Sequence, residues 1–147
     1  MNTKYLLAAS LAGGLISTLL VNTPYVNLLN LLICAGFWIG PIVAVWLYRG
    51  LDGALTLSQA VAAGILAGAW HGFFGLAMSP LGLAGAGGLL NEARPFVSAQ
   101  DWPALETALT GVGGILFDLV GVVIDIVFGF IGGLVGGRIF GARRLAS

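Results

Sequence analysis

Three side chains that can carry a proton or a charge lie inside apolar stretches of the sequence: Asp118, Asp125 and His71. At about 100° of rotation per residue, Asp125 lies about 20° from Asp118 on a helix. A carboxylate at the depth of a bilayer is rare unless it is paired or faces the interior of a helix bundle. Carboxyl and imidazole groups that share such an interior either mark a proton or cation pathway or fasten two helices together by a hydrogen bond. The three residues therefore predict a buried polar cluster.

The stretch that carries both aspartates also carries a ladder of glycines. If it is helical, Gly129, Gly132 and Gly136 fall within about 40° of the line of the two acids. Gly133 and Gly137 form a second face, displaced by about 80°. Overlapping steps of small residues allow helices to approach closely in membranes. We expect the first face to pack inside the chain and the second to help assemble copies of it.

A second glycine face accompanies the histidine, in residues 58–78. Four residues of this stretch lie within about 60° of one another on a helix: Gly64, Gly68, His71 and Gly75. We expect this face to cover the acidic face of the last helix, with the histidine at a depth between the two aspartates. Ser58 is the predicted N-cap of this helix.

The composition is typical of a membrane protein. Of the 147 residues, 59% are hydrophobic and 8% are charged, whereas soluble domains have roughly 25% charged residues. Four stretches are long enough to cross a bilayer as helices: residues 5–21, 28–48, 58–78 and 115–140. The sequence therefore predicts an all-α fold, an integral membrane bundle of four transmembrane helices that forms a single transmembrane domain over residues 1–147.

Residues 79–110 are expected to lie outside the membrane, because they contain the most polar part of the chain. Asp101 is followed by Trp102 and Pro103, which is typical of a helix start. A short interfacial helix is predicted from there to about residue 110, with glycines separating it from the last span. Residues 81–90 carry no charge, and their composition fits a helix, a re-entrant segment or a loop.

The basic residues predict the orientation of the chain. If the N-terminus is cytoplasmic, only Arg94 falls on the outer side. Five basic residues then fall on the inner side: Lys4, Arg49, Arg138, Arg143 and Arg144. Under the positive-inside rule, both termini are expected in the cytoplasm, with the protein in a prokaryotic inner membrane. The first span is expected to be retained, because no A-x-A cleavage site follows it.

Residues 28–49 end in the sequence CAGFWIGPIVAVWLYR and are later joined by the glycine-rich last span. This combination resembles small, uncharacterised four-span membrane proteins of prokaryotes with a glycine-zipper last helix. The resemblance implies a four-helix bundle, and it implies no particular activity.

No motif of a soluble enzyme is present, such as HExxH, GxSxG or a phosphate-binding glycine loop. The sequence therefore predicts no enzyme, no catalytic residue, no metal site and no cofactor. With zero net charge and no basic cluster, nucleic acid is not an expected partner.

Three functional interpretations remain open. The first is a non-enzymatic assembly or accessory subunit, embedded in the lipid bilayer as a homo-oligomer or bound to another membrane protein. The second is a small proton- or ion-conducting protein that uses Asp118, Asp125 and His71. The third is a pigment or haem protein with His71 as the axial ligand, since the small residue Ala67 lies one turn before it.

Overall fold

The computed structural model describes residues 2–22 and 35–141. Within these residues the chain is all-α, as predicted, with six α-helices and one turn of 3₁₀-helix (Ser79–Leu81). The helices are α1 (Thr3–Asn22), α2 (Ala35–Asp52), α3 (Leu57–Met78), α4 (Gly85–Ala93), α5 (Trp102–Leu109) and α6 (Gly111–Ile139).

Three of the described helices are long and apolar enough to cross a membrane: Thr3–Asn22, Leu57–Leu81 and Gly111–Ile139. They correspond to the first, third and fourth predicted spans. The second predicted span, residues 28–48, lies partly outside the described residues, and its described part forms the beginning of α2. Helix α2 ends with Arg49 and Asp52 in its last turn. These two charged residues lower the mean hydropathy of the helix. Three helices thus have the length and composition of membrane spans, and the fourth span stays a prediction.

The four long helices alternate in direction. Gly64 of α3 lies against Gly133 of α6, whereas Gly72 lies against Val122, so these two helices are antiparallel. By the same comparison of contacts, α1 is antiparallel to α2, and α2 is parallel to α6. The starts of α1 and α3 therefore lie at the same end as the ends of α2 and α6. We call this end the base, and residues 79–110 at the other end the cap.

Helix α6 lies in the angle between α2 and α3, and glycines make both contacts close. A Cβ on Gly133 would lie 2.8 Å from the carbonyl oxygen of Ala60 on α3. A Cβ on Gly132 would lie 2.7 Å from Cβ of Pro41 on α2. Both distances are too short for a real side chain, so larger residues would force the helices apart.

This arrangement corrects the expectation that Gly133 and Gly137 help assemble copies of the chain. Gly133 packs against α3, and Gly137 is buried as well. The reason is that α6 contacts two helices at once, so it needs a small face toward each of them.

Polar and apolar residues are distributed as expected for a bundle in lipid. Helix α1 buries Ser10, Ser17 and Thr18. Its large apolar side chains, among them Leu11 and Leu15, are exposed. Helix α6 exposes apolar side chains along its whole length, from Val112 to Ile139. Apolar residues thus form the outer surface, and polar groups lie inside.

The start of α3 differs from the prediction. Its N-cap is Thr56, whereas Ser58 was expected. The hydroxyl of Thr56 accepts a hydrogen bond from the Gln59 amide at 3.3 Å, and the Gln59 side chain accepts one from the Thr56 amide at 2.7 Å. This reciprocal pair of hydrogen bonds needs a glutamine or glutamate three residues after the N-cap residue. Ser58 has Val61 at that position.

The cap consists of the 3₁₀ turn, α4 and α5. The predicted short helix is present as α5, and Pro103 lies in its first turn. The chain then breaks at Gly111, whose φ of 61° is in the left-handed region that glycine adopts readily. Residues 81–90, which admitted three interpretations, form the end of the 3₁₀ turn and most of α4. Both cap helices pack against α6.

Candidate functional site

His71 and Asp125 meet inside the bundle, where α3 packs on α6. Gly68 and Gly72 flank the histidine on α3 and have no side chains to hold the helices apart. The backbone of α6 at Asp125 therefore lies directly against Gly68. Nδ1 of His71 is 3.1 Å from Oδ1 of Asp125, and each side chain is 9% exposed. The two titratable groups form a buried pair.

The contact between these side chains lacks the geometry of a hydrogen bond. Oδ1 of Asp125 lies within ion-pair distance of His71, yet it has no hydrogen-bond partner among the described residues. Direction as well as distance decides whether a hydrogen bond forms, so this buried oxygen is unsatisfied. An unsatisfied buried acceptor costs about 1–3 kcal/mol, and more if it is charged. A proton or cation bound here would relieve that cost.

Helices α1 and α2 close other sides of the histidine. The ring of Phe37 on α2 makes an edge contact with the imidazole, with 5.6 Å between the ring centres. On α1, a Cβ added to Gly14 would lie 3.0 Å from the carbonyl oxygen of Ala67 and 3.1 Å from the amide nitrogen of His71. The helix surface at Ala67 is thus covered by α1. A haem or chlorophyll ring needs that surface free, which argues against the third interpretation.

A cavity of about 260 Å³ lies beside the pair. Its polar lining residues are Thr18, Asn22, His71, Asp118 and Asp125. Thr18 and Asn22 donate to backbone carbonyl groups of α1, so they are already engaged. Most other lining residues are apolar or glycine, and none of the described lining residues is lysine or arginine. The cavity is therefore apolar, with its acidic groups on α6.

Asp118 lines this cavity without joining the pair. It lies two turns before Asp125 on α6, a distance of about 10 Å along the helix. One of its carboxylate oxygens accepts a hydrogen bond of 2.7 Å from the amide of Ala86, in the first turn of α4. In the described residues, no three histidine, cysteine, aspartate or glutamate side chains come close enough to hold a metal ion. The predicted cluster is thus a pair with a separate acid nearby.

Asp118 also lines a second cavity of about 510 Å³ between the cap and α6. This cavity, which we call the vestibule, contains Glu106 and Arg94, whose guanidinium lies 5.6 Å from the ring centre of Trp102. Ala86 lines the vestibule, whereas Ala84 lines the inner cavity, and Gly85 between them packs against the Asp118 carboxylate. The contact of Asp118 with residues 84–86 therefore separates the two cavities.

Comparison with family models, with curated proteins and with solved structures found no match for this chain.

The predicted packing glycines divide into two groups. Those in helix contacts or buried are Gly64, Gly68, Gly129, Gly132, Gly133, Gly136 and Gly137. Gly75, in contrast, has nothing within 4 Å of the position that a Cβ would take, and it lines the inner cavity. The absence of a side chain at Gly75 therefore enlarges the inner cavity.

Two contributions to the site were missed in the sequence. Phe37, for which no role in the site was predicted, lines the cavity and contacts the histidine. The small residues of α1 were not considered, although Gly13 and Gly14 bring α1 against α2 and α3. The signal was available, because Ser10, Gly13 or Gly14, and Ser17 recur at helical spacing.

Proposed function

We propose that the chain crosses a prokaryotic inner membrane four times, with both termini in the cytoplasm and the cap outside. The alternating directions of the four long helices support this topology. Lys4, Arg49 and Arg138 lie toward the base, and Arg94 belongs to the cap. The positive-inside rule then makes the base cytoplasmic.

Within this bundle we propose that the His71–Asp125 pair binds a proton or a small cation and moves it across the membrane. The observation that supports this proposal is the buried Asp125 oxygen, which lies 3.1 Å from the imidazole and has no hydrogen-bond partner in the part of the chain that the structure describes. Intramembrane acids that face a bundle interior commonly belong to ion or proton pathways. Asp118, on the cap side of the pair, is the proposed second acid of the pathway.

The packing favours a carrier rather than an open channel. On the cap side the pair adjoins the inner cavity, and the vestibule lies beyond Asp118. Toward the base, the backbones of Gly64, Gly129 and Gly133 are in close contact and leave no space between α3 and α6. A bound cation would need a movement of these helices to reach the cytoplasmic side.

The alternative role as an assembly or accessory subunit has less support. It was inferred from the glycine-faced helices, with Gly133 and Gly137 as the face for self-association, and both of these residues are buried within the bundle. The buried pair and its cavity are specific features that assembly does not require.

The proposal is tested by flux into proteoliposomes that contain the full chain and a trapped pH dye. A potassium diffusion potential drives proton entry, and parallel vesicles with a sodium-sensitive dye report sodium entry. We expect the parent protein to conduct at least one of these ions above empty vesicles. Asp125→Asn and His71→Ala should reduce that flux to the level of empty vesicles, because each removes one member of the pair.

The matched control is Asp101→Asn, the same chemical change at an exposed aspartate of the cap. It should conduct like the parent. The proposal is wrong if the parent conducts neither ion, or if Asp125→Asn conducts as well as Asp101→Asn.

A further inference from the structure

We infer that the inner cavity binds a small organic ammonium ion, with its charged head at Asp125 and its hydrocarbon part against the apolar walls. This inference adds a ligand class to the site at which the proposed function binds a proton, and it rests on that proposal for the role of Asp125.

The charge of the cavity selects a cation. Asp118 and Asp125 both line it, and His71 is its only other titratable group in the described residues. Two of its three titratable groups are acids, and no lysine or arginine lines it among the described residues, so the cavity favours a cation over an anion. Oδ1 of Asp125 is buried and has no hydrogen-bond partner among the described residues, so it is available as the charge partner of an ammonium group.

The remaining lining favours an organic ion over an inorganic one. Hard metal cations need several oxygen ligands, typically six or more for calcium. In the described residues no three acidic, histidine or cysteine side chains come together. The walls instead present Phe37, Leu76, Phe117 and Ile124. Apolar side chains stabilise a hydrocarbon group, and aromatic rings attract an ammonium through the cation–π interaction.

The size of the cavity limits the ligand to a small molecule. Its volume of about 260 Å³ is just below the common range of about 300–1,000 Å³ for drug-sized ligands. An amine with a single aromatic ring is of a suitable size. Gly75 and Gly121 line the cavity, and a Cβ at either position would meet nothing within 4 Å. These glycines leave the space that the ligand would occupy.

The experiment measures binding of radiolabelled benzyltrimethylammonium to the purified full chain in mild detergent by equilibrium dialysis. We expect saturable binding that unlabelled benzyltrimethylammonium displaces. Neopentylbenzene, which has the same shape without the charge, should not displace it, and neither should sodium or potassium at the same concentration. Asp125→Asn should weaken binding by about tenfold or more, because the charge partner is removed.

A second variant tests the location without altering charge. Gly75→Leu fills the cavity and should abolish binding, whereas Gly50→Leu, at an equally open glycine away from the cavity, should bind like the parent. The inference is overturned if no saturable binding occurs, if neopentylbenzene or the alkali ions compete equally, or if Gly75→Leu binds like Gly50→Leu.

The outcome is independent of the flux experiment. Ion flux that depends on Asp125 without ammonium binding would refute this inference and leave the proposed transport intact. Ammonium binding at Asp125 without flux of any cation would refute transport and leave the binding site intact.

Discussion

At the level of single residues, the glycines of α3 determine how close Asp125 comes to His71. Gly68 lies against the backbone of Asp125 itself, and Gly72 lies beside its carboxylate. Without side chains at these two positions, α6 approaches until Nδ1 of the histidine and Oδ1 of the aspartate are 3.1 Å apart. The distance between His71 and Asp125 therefore depends on the glycines at positions 68 and 72 as well as on the two side chains that meet.

Gly68→Leu should destabilise the bundle. A Cβ there would lie 2.9 Å from the carbonyl carbon of Asp125, so the helices would have to separate. Overpacking of this kind costs about 1–3 kcal/mol. The free energy of unfolding, measured by titration of mixed micelles with a denaturing detergent, should fall by about that amount.

Gly75→Leu is the matched control, because it is the same change on the same helix at a position with no neighbour within 4 Å. Its free energy of unfolding should stay close to that of the parent. Equal destabilisation of the two variants would show that close packing at Gly68 does not hold the helices together.

At the level of elements, the cap is connected to the bundle through Asp118. Its carboxylate accepts a hydrogen bond from the Ala86 amide and so holds the first turn of α4 against α6. A carboxylate is also favourable near the N-terminus of a helix, where the amide dipoles point toward it. This contact lies between the vestibule and the inner cavity.

Asp118→Ala should open the passage between the two cavities. The measurement starts from Cys34→Ser, which removes the single cysteine of the sequence, and adds Val122→Cys in the inner cavity. A membrane-impermeant thiosulfonate, added from outside, then labels the new cysteine. Hydrogen bonds to charged groups contribute about 1.5–3 kcal/mol, so the labelling rate should rise by about tenfold or more.

Asp101→Ala in the same background should leave the labelling rate of Val122→Cys unchanged, since this aspartate lines neither cavity. If Asp118→Ala labels no faster than Asp101→Ala, the carboxylate does not keep the two cavities apart.

The pair could be anticipated from the sequence better than the cap. His71 and Asp125 lie on long helices, where a constant rotation and rise per residue predict both face and depth. The partner of Asp118 could not be predicted, because it is a backbone amide of residues 81–90. Those residues contain only glycine, alanine and leucine, and they have no periodic pattern that would select one conformation.

At the level of the whole molecule, the alternating helices bring four of their ends together at the base. Arg49 and Gly141 line one pocket there with the loop before α3, so the ends of α2 and α6 are neighbours. The cap lies at the opposite end, between the end of α3 and the start of α6. An even number of crossings would put the two termini on the same side.

Cysteine labelling in whole cells tests this topology. In a Cys34→Ser background, Gln100→Cys in the cap should react with an impermeant maleimide in intact cells. Ala54→Cys, in the exposed loop between α2 and α3, should react only after the cells are permeabilised. The reverse pattern would place the base outside, and labelling of both in intact cells would rule out a membrane between them.

The number of spans could be predicted only in part. Three spans are single long apolar helices, which composition and length identify directly. The second is harder, because α2 ends in Arg49 and Asp52 and its predicted first residues lie outside the described part. The sequence also did not predict that α6 packs against both α2 and α3. The rotation per residue predicts which residues share a face of a helix, but it does not predict which helix contacts that face.

The central claim is that Asp125 binds the transported cation within the bundle. The most direct measurement compares ion flux through Asp125→Asn with flux through Asp101→Asn in otherwise identical proteoliposomes. Both variants replace one carboxylate by an amide, and only one of them lies beside His71. The proposal predicts flux at the level of empty vesicles for Asp125→Asn and parental flux for Asp101→Asn. Equal flux through the two variants would contradict it.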